Sequence, residues 1–394
     1  MARLLPPALS GFAPAMEFCF DPPQPSQTIL VLVGLTRVDP KVPTWLERLE
    51  DQVNVDVDWM DPAFIQGLPI VPHDMTSNQI HVYAQLTNPA NRELITATVL
   101  EYKERGWLAI YTRIAVSLCK RSIDHIQGRV LLQTSPSQAY EGQRVLEHAR
   151  LYASEFESVG ISRDRFCIKI PSTGPALSVC PILEAEGICT LGTAVFSLAQ
   201  AVAAAQAGCL YISPYFNEIQ ANIDPNLWPD VHDPATQHPM SARIVQMLET
   251  YRRQYSETGK QQPLIKNANF ISANEALAQG EIGVHSATIS PEVLSEPARL
   301  PCDNTWQAGA GRTTKPAYPE HQNSVAIPKR LAYLVGTDPL AAVLWDIKLA
   351  STDVDYLADN GAKLDSAIRA DPIASARLQD ALQLFVKVED ESKT

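Results

Sequence analysis

Lys169 stands in the run Phe166–Ile170, FCIKI, where every neighbour is apolar. Lysine is rarely buried without a reason. Side chains alternate faces along a strand, so Cys167 and Lys169 share one face while Phe166, Ile168 and Ile170 share the other. Taken alone, such a lysine is more simply a structural ion-pair member. In an apolar setting, however, the ammonium form is disfavoured, and the free amine can attack a ketone or aldehyde to give a Schiff base. A second strand-like run, VNVDVDW, places Asn54, Asp56 and Asp58 on one face. The two aspartates either pair with basic groups at the rim or, for Asp58 nearest the strand end, move protons during C–C bond chemistry. DVDWMD lacks the glycine and closing glutamate of a calcium loop, so no metal is expected there.

Other apolar runs also close on a polar residue: Asn78 in DMTSNQ, Gln133 in VLLQTSP, Thr193 in LGTAVF, Ser213 and Tyr215 in YISPYF, and Asn269 in NANF. Each alone reads as a helix cap or a satisfied core group. Converging with a lysine, they read as a site.

Convergence requires a particular frame. Short apolar runs alternate with helical stretches from about residue 46 onward: GRVLLQTS before QRVLEHARLYASEFESV, FCIKI before ALSVCPILEAEG, CTLGTAVF before SLAQAVAAAQAG, and so on through PLIKNANF and HSATIS. Strand–helix alternation at this spacing predicts βα units on a parallel sheet, and about eight of them predict a TIM (β/α)8 barrel. Barrel enzymes keep their chemistry at the C-terminal ends of the strands. The expected organisation is an N-terminal extension over 1–45, the barrel over 46–295, a loop-rich insertion over 296–345 and a C-terminal helical segment over 346–394. Asp303 to Pro328, with Trp306, is long enough to serve as a lid; a surface insertion is the equal alternative.

These residues resemble the transaldolase family, and more narrowly its fructose-6-phosphate aldolase branch. FCIKIPST, EAEGICTLGTAVFSLAQAVAAAQAG, YISPYFNEI, HDMTSNQ and NANF carry the resemblance, in order, over roughly residues 50 to 295. It implies a class I aldolase-type barrel in which Lys169 forms the Schiff base, Asp58 is the acid/base and Asn78 orients the imine or donor hydroxyl. Where transaldolases have a glutamate and an asparagine, this chain has Gln133 and Leu191. The aldolase branch instead holds a catalytic water with a glutamine, a threonine and a tyrosine, matched here by Gln133, Thr193 and Tyr215. The family also grips a substrate phosphate with arginines; Glu218 and Ile271 stand at those positions. A carboxylate there repels a dianion that forked arginines would hold.

The expected activity is therefore a Schiff-base aldolase or retro-aldolase acting on a non-phosphorylated carbonyl compound in a specialised pathway, without cofactor or metal. Two alternatives are a pentose-phosphate-type transaldolase and a catalytically silent barrel kept as a binding scaffold; retention of Asp58, Lys169 and Thr193 together argues against the scaffold.

A net charge of −12 argues against nucleic acid and anionic membranes as partners. A small carbonyl substrate is the expected partner, and the sequence is compatible with a homo-oligomer. Seven scattered cysteines without a C-x-x-C pair imply neither a disulfide framework nor a zinc site, and point to a reducing, cytoplasmic setting. Prolines interrupt the apolar core that a secretory signal would need in MARLLPPALSGFAPA. AGAGRT lacks a preceding strand and the lysine of a phosphate loop. His232 and His238 read as surface residues, and His73 and His285 as structural ones near strand ends.

Overall fold

A computed structural model describes residues 42–302, 326–341 and 348–394. Eight strands form a closed barrel in sequence order: β1 Asn54–Val57, β2 Met75–Thr76, β3 Val130–Gln133, β4 Phe166–Pro171, β5 Thr190–Val195, β6 Tyr211–Pro214, β7 Leu264–Asn267 and β8 Ser286–Ile289. All adjacent pairs are parallel, and β8 closes on β1 with Asn54 opposite Ser286. This is the expected TIM barrel. The lid segment lies outside the described residues except for its last three positions, as does the N-terminal extension up to residue 41.

The alternation expected for β4 decides the two cores. Phe166, Ile168 and Ile170 join the large core between strands and helices. Cys167 joins Leu131, Leu191, Tyr211 and Leu264 in a small cluster inside the barrel. Lys169 is therefore on the interior face, two residues nearer the mouth than Cys167.

Helix starts secure the strand ends. Ser197 and Gln200 form a capping box on the helix Leu198–Gln206, and the Gln200 amide also donates to the carbonyls of Ser172 (3.0 Å) and Ala194 (3.1 Å). A register shift falls between Thr193 and Val195, with Ala194 at φ 56°. Such a bulge re-aims a side chain at some backbone cost, here that of Thr193.

The C-terminal segment packs over the barrel. Asp359, Asn360 and Gly361 turn through left-handed φ values, and Gly361 lies against Gly174 so closely that a Cβ on Gly174 would fall 2.2 Å from the Gly361 carbonyl oxygen. Only glycine fits that contact, which ties the segment to the loop leaving β4. The long helix Pro372–Glu391 then crosses the mouth. Buried Arg243 bonds Asp371, its N-cap, at 2.8 Å; near its end Glu389 accepts from the hydroxyls of Ser135 and Ser137, both at 2.6 Å. Among the described residues no helix is long and apolar enough to cross a membrane, and six cysteines are unbridged.

Candidate active site

Lys169 is 4% exposed. With Asp58, Asn78, His81, Ser213, Tyr215 and Asn269 it lines a cavity of about 260 Å³ at the mouth, a size suited to a small substrate. Among the described residues no carboxylate forms an ion pair with its amine. Burial pushes the Lys169 ammonium below its ordinary value, and the opposing charges of Asp58 and, more weakly, Asp56 restore only part of the shift. The amine is thus biased toward its nucleophilic form.

Asp58 follows β1, its N–H donating to the Ile289 carbonyl at 2.9 Å. Its carboxylate accepts from the Thr76 hydroxyl and lies 3.5 Å from His81 Nδ1. Burial works to raise the Asp58 carboxyl, but the neighbouring His81 and Lys169 and the Thr76 hydroxyl hold it below the usual carboxylate value.

Gln133 and Thr193 stand beside the cavity wall without being part of the lining. Gln133 is the register partner of Lys169 on β3, is 2% exposed, and has no protein partner for either amide atom. Thr193 and Tyr215 share a hydrogen bond of 3.2 Å between their hydroxyls, and burial pushes the Tyr215 phenol well up. Asn78 does double duty. Its oxygen caps the helix Gln79–Thr87 by accepting from the N–H groups of Ile80 (2.9 Å) and His81 (3.4 Å), while the residue also lines the cavity. Asn269, at φ 64°, spends its amide on the Asn217 carbonyl (2.8 Å) and the Asn222 amide (2.9 Å), so it clamps two loops as well as lining the site.

Asp56 does not join this group. One layer deeper it meets Lys266 on β7, whose Nζ lies 2.9 Å from Asp56 and 2.8 Å from Asp74. The Lys266 ammonium also sits 4.5 Å from the Tyr211 ring centre and 3.0 Å from the Ser286 hydroxyl. His73 adds a contact of 3.2 Å to Asp74. Asp56, His73 and Asp74 are near enough together to hold a metal ion, but the lysine already supplies the cation between the two carboxylates. Sequence reasoning missed Lys266 in PLIKNANF, the twin of FCIKI in appearance.

Two expectations change. His238 is 3% exposed rather than superficial: it stacks on Phe216 at 3.8 Å and caps the helix Pro239–Thr258 through the Met240 N–H. Glu218 is absent from the cavity lining, and Arg377 of the C-terminal helix sits 3.3 Å from its carboxylate. It is therefore not the free negative charge facing the substrate. That helix supplies the outer wall itself, through Leu384 and Phe385. His285, by contrast, is built into the floor beside Asn54 and Ser286, a structural place.

The transaldolase/fructose-6-phosphate aldolase family model matches residues 55–328. A transaldolase of Nostoc sp. is 26% identical over 363 residues, spanning 89% of this chain and 94% of its own; one of Trichormus variabilis gives the same figures. A transaldolase of Nostoc punctiforme is 29% identical over 261 residues, 64% of this chain and 75% of its own.

Proposed function

The chain belongs to the transaldolase/fructose-6-phosphate aldolase family, and from that premise we infer that it is a Schiff-base aldolase or retro-aldolase whose carbonyl substrate carries no phosphate. The observation that carries the chemistry is a buried, ion-pair-free lysine beside an aspartate at the barrel mouth. The Lys169 amine adds to a ketone, and the carbinolamine takes a proton relayed by water and loses water to give an iminium. Asp58 takes the proton from the substrate hydroxyl as the C–C bond breaks, and the bond's electrons pass into the iminium to give an enamine. The iminium is the electron sink, so this reading needs no Lewis-acid metal. Gln133, Thr193 and Tyr215 are the groups suited to holding water for imine formation and hydrolysis, with Ser213 and Asn78 toward the substrate.

Support for an unphosphorylated substrate comes from the lining. Among the described residues that line the cavity none is arginine, and exposed Glu292 stands at its edge. Ile80, Ile219, Ile223, Phe270, Leu384 and Phe385 make much of the remaining wall. A phosphate dianion would lose its forked donors and face two carboxylates, Asp58 and Glu292. Such a substrate belongs to a specialised pathway rather than to sugar-phosphate exchange.

One observation favours the second reading, a transaldolase of sugar phosphates. Arg377 is largely buried, and its Nη1 has no partner. Swinging away from Glu218, that guanidinium would offer the missing cation. Borohydride trapping and turnover on matched ketoses with and without phosphate decide between the two. We expect wild type to favour the unphosphorylated member by at least about tenfold, the loss of one charge-assisted contact, and Arg377→Met to leave that preference unchanged. Efficient turnover of fructose 6-phosphate that collapses in Arg377→Met would establish the transaldolase reading instead.

A further inference from the structure

His81 is the one imidazole in the cavity wall among the described residues, and the reaction as derived leaves it idle. It lies on the first turn of the helix Gln79–Thr87, where its backbone N–H is held by Asn78. Its ring meets Trp59 edge-on at 5.6 Å. Nδ1 is buried, lies 3.5 Å from Asp58 Oδ1, and makes no hydrogen bond with any described group.

We propose that Asp58 and His81 act as a pair in proton transfer, His81 Nδ1 storing the proton that Asp58 removes from the substrate hydroxyl. This rests on the Schiff-base reading of the site. During cleavage the substrate O–H bond and the C–C bond break, the iminium takes up the C–C electrons, and the proton passes to Asp58 Oδ1 and on to His81 Nδ1. In net cleavage the stored proton returns through Asp58 to the enamine carbon before the imine is hydrolysed, and in synthesis the same path runs backward, so protons balance over the cycle.

The reason for a second group is the weakness of the first. Asp58, already bonded by Thr76 and faced by Lys169, is a poorer base than an ordinary carboxylate. An imidazole binds a proton about 2.6 units more tightly than a free aspartate does. The charged groups that face His81 are Asp58 after β1, Lys169 on β4 and Glu292 after β8; Thr76 on β2 is neutral. Burial lowers the His81 pKa, Lys169 adds to that, and Asp58 and Glu292 oppose it. The resting imidazole is therefore neutral near pH 7, and in its Nε2–H tautomer Nδ1 is open to accept.

The test uses dihydroxyacetone in deuterated water, where exchange at the carbon next to the carbonyl needs an imine and a proton-moving group but no natural acceptor. It is run alongside cleavage of whichever ketose the wild type accepts. His81→Asn keeps a hydrogen-bonding atom near Nδ1 without titrating, and His81→Leu removes it. We expect both to lower kcat and exchange by about 10²-fold, with KM within about twofold, full borohydride labelling of Lys169, and loss of the acidic limb of the pH profile. Wild-type rates and pH profile in His81→Asn would overturn the proposal. Should both variants fail to fold, the His81 titration is followed by NMR in wild type and in Asp58→Asn. A downward shift in the latter supports the pair, and an unmoved titration overturns it. If wild type neither labels at Lys169 nor exchanges, the Schiff-base reading itself fails, an outcome distinct from the others.

Discussion

Two lysines lie inside this barrel, and their surroundings send them in opposite directions. Lys266 is fully buried between Asp56 and Asp74, and the two carboxylates outweigh burial to raise its ammonium well above the ordinary value. Lys169, nearer the mouth, is nearly as buried but unpaired, and burial wins. The same residue type on the same kind of strand is thus a structural cation in one place and, on the proposed reading, the nucleophile in the other. The difference is where carboxylates stand, and only the floor has two within reach.

The sharpest break of that comparison is to remove each lysine in turn. Lys169→Met is expected to abolish turnover and borohydride labelling while melting at or above the wild-type temperature, because an unpaired buried amine costs stability. Lys266→Met leaves two carboxylates buried without their cation, a loss of about 3–5 kcal/mol by analogy with broken buried pairs. Denaturant unfolding of both variants checks the contrast. Equal destabilisation by the two would mean that the mouth lysine is structural as well.

This contrast also marks how far the sequence could be read. FCIKI and PLIKNANF are alike locally, and the aspartates that separate them lie 210 and 192 positions from Lys266 along the chain. No local pattern carries that information. The barrel was legible because β3 to β8 are apolar runs between helical stretches; Asp58, Ser213 and Tyr215 were legible because each closes such a run, and Asn78 through the family resemblance of HDMTSNQ. The strand β2 is only Met75–Thr76, within a polar stretch that has no strand period. Glu218 was read as a free charge because its partner is 159 residues away on a helix whose period reveals a buried face but not what it covers. His81 was passed over because, in NQIHVYAQL, it is one helix residue among several, and only the turn set by the Asn78 cap brings it over Asp58.

The floor carries a second, smaller consequence through its pH dependence. Burial lowers the His73 pKa, but the Asp56 and Asp74 carboxylates, 3.7 and 3.2 Å from its Nδ1, prevail and raise it to about 9. A folded-state pKa above the unfolded value stabilises the protein fully below about pH 6.5, and that contribution is lost as pH rises through about 9. Its ceiling is about 3 kcal/mol. Wild type should therefore lose melting temperature between pH 7 and 9.5, and His73→Gln should lose distinctly less over that interval. Parallel pH curves for the two proteins would detach His73 from the floor's charge network.

The smallest expected effect lies at Gln133, the neighbour of Lys169 in register, and it tests whether the mouth as a whole gives up stability for function. Its amide is buried with neither atom partnered by protein, a costly state for a polar group that contributes nothing to the fold. Gln133→Met keeps the length and removes the polar atoms. Stability should be unchanged or rise by about 1 kcal/mol, the penalty of an unmet hydrogen-bonding group. Turnover should fall while borohydride still labels Lys169, since holding water for imine chemistry is a different task from supplying the amine. A variant that loses stability would put Gln133 with the paired residues of the floor, and one that keeps full turnover would remove it from the water-holding set. Thr193→Val then asks the same of a hydroxyl that does have a partner, Tyr215. There the loss of the hydrogen bond should cost stability, so opposite signs at Gln133 and Thr193 would trace the boundary between site and scaffold within one turn of the barrel wall.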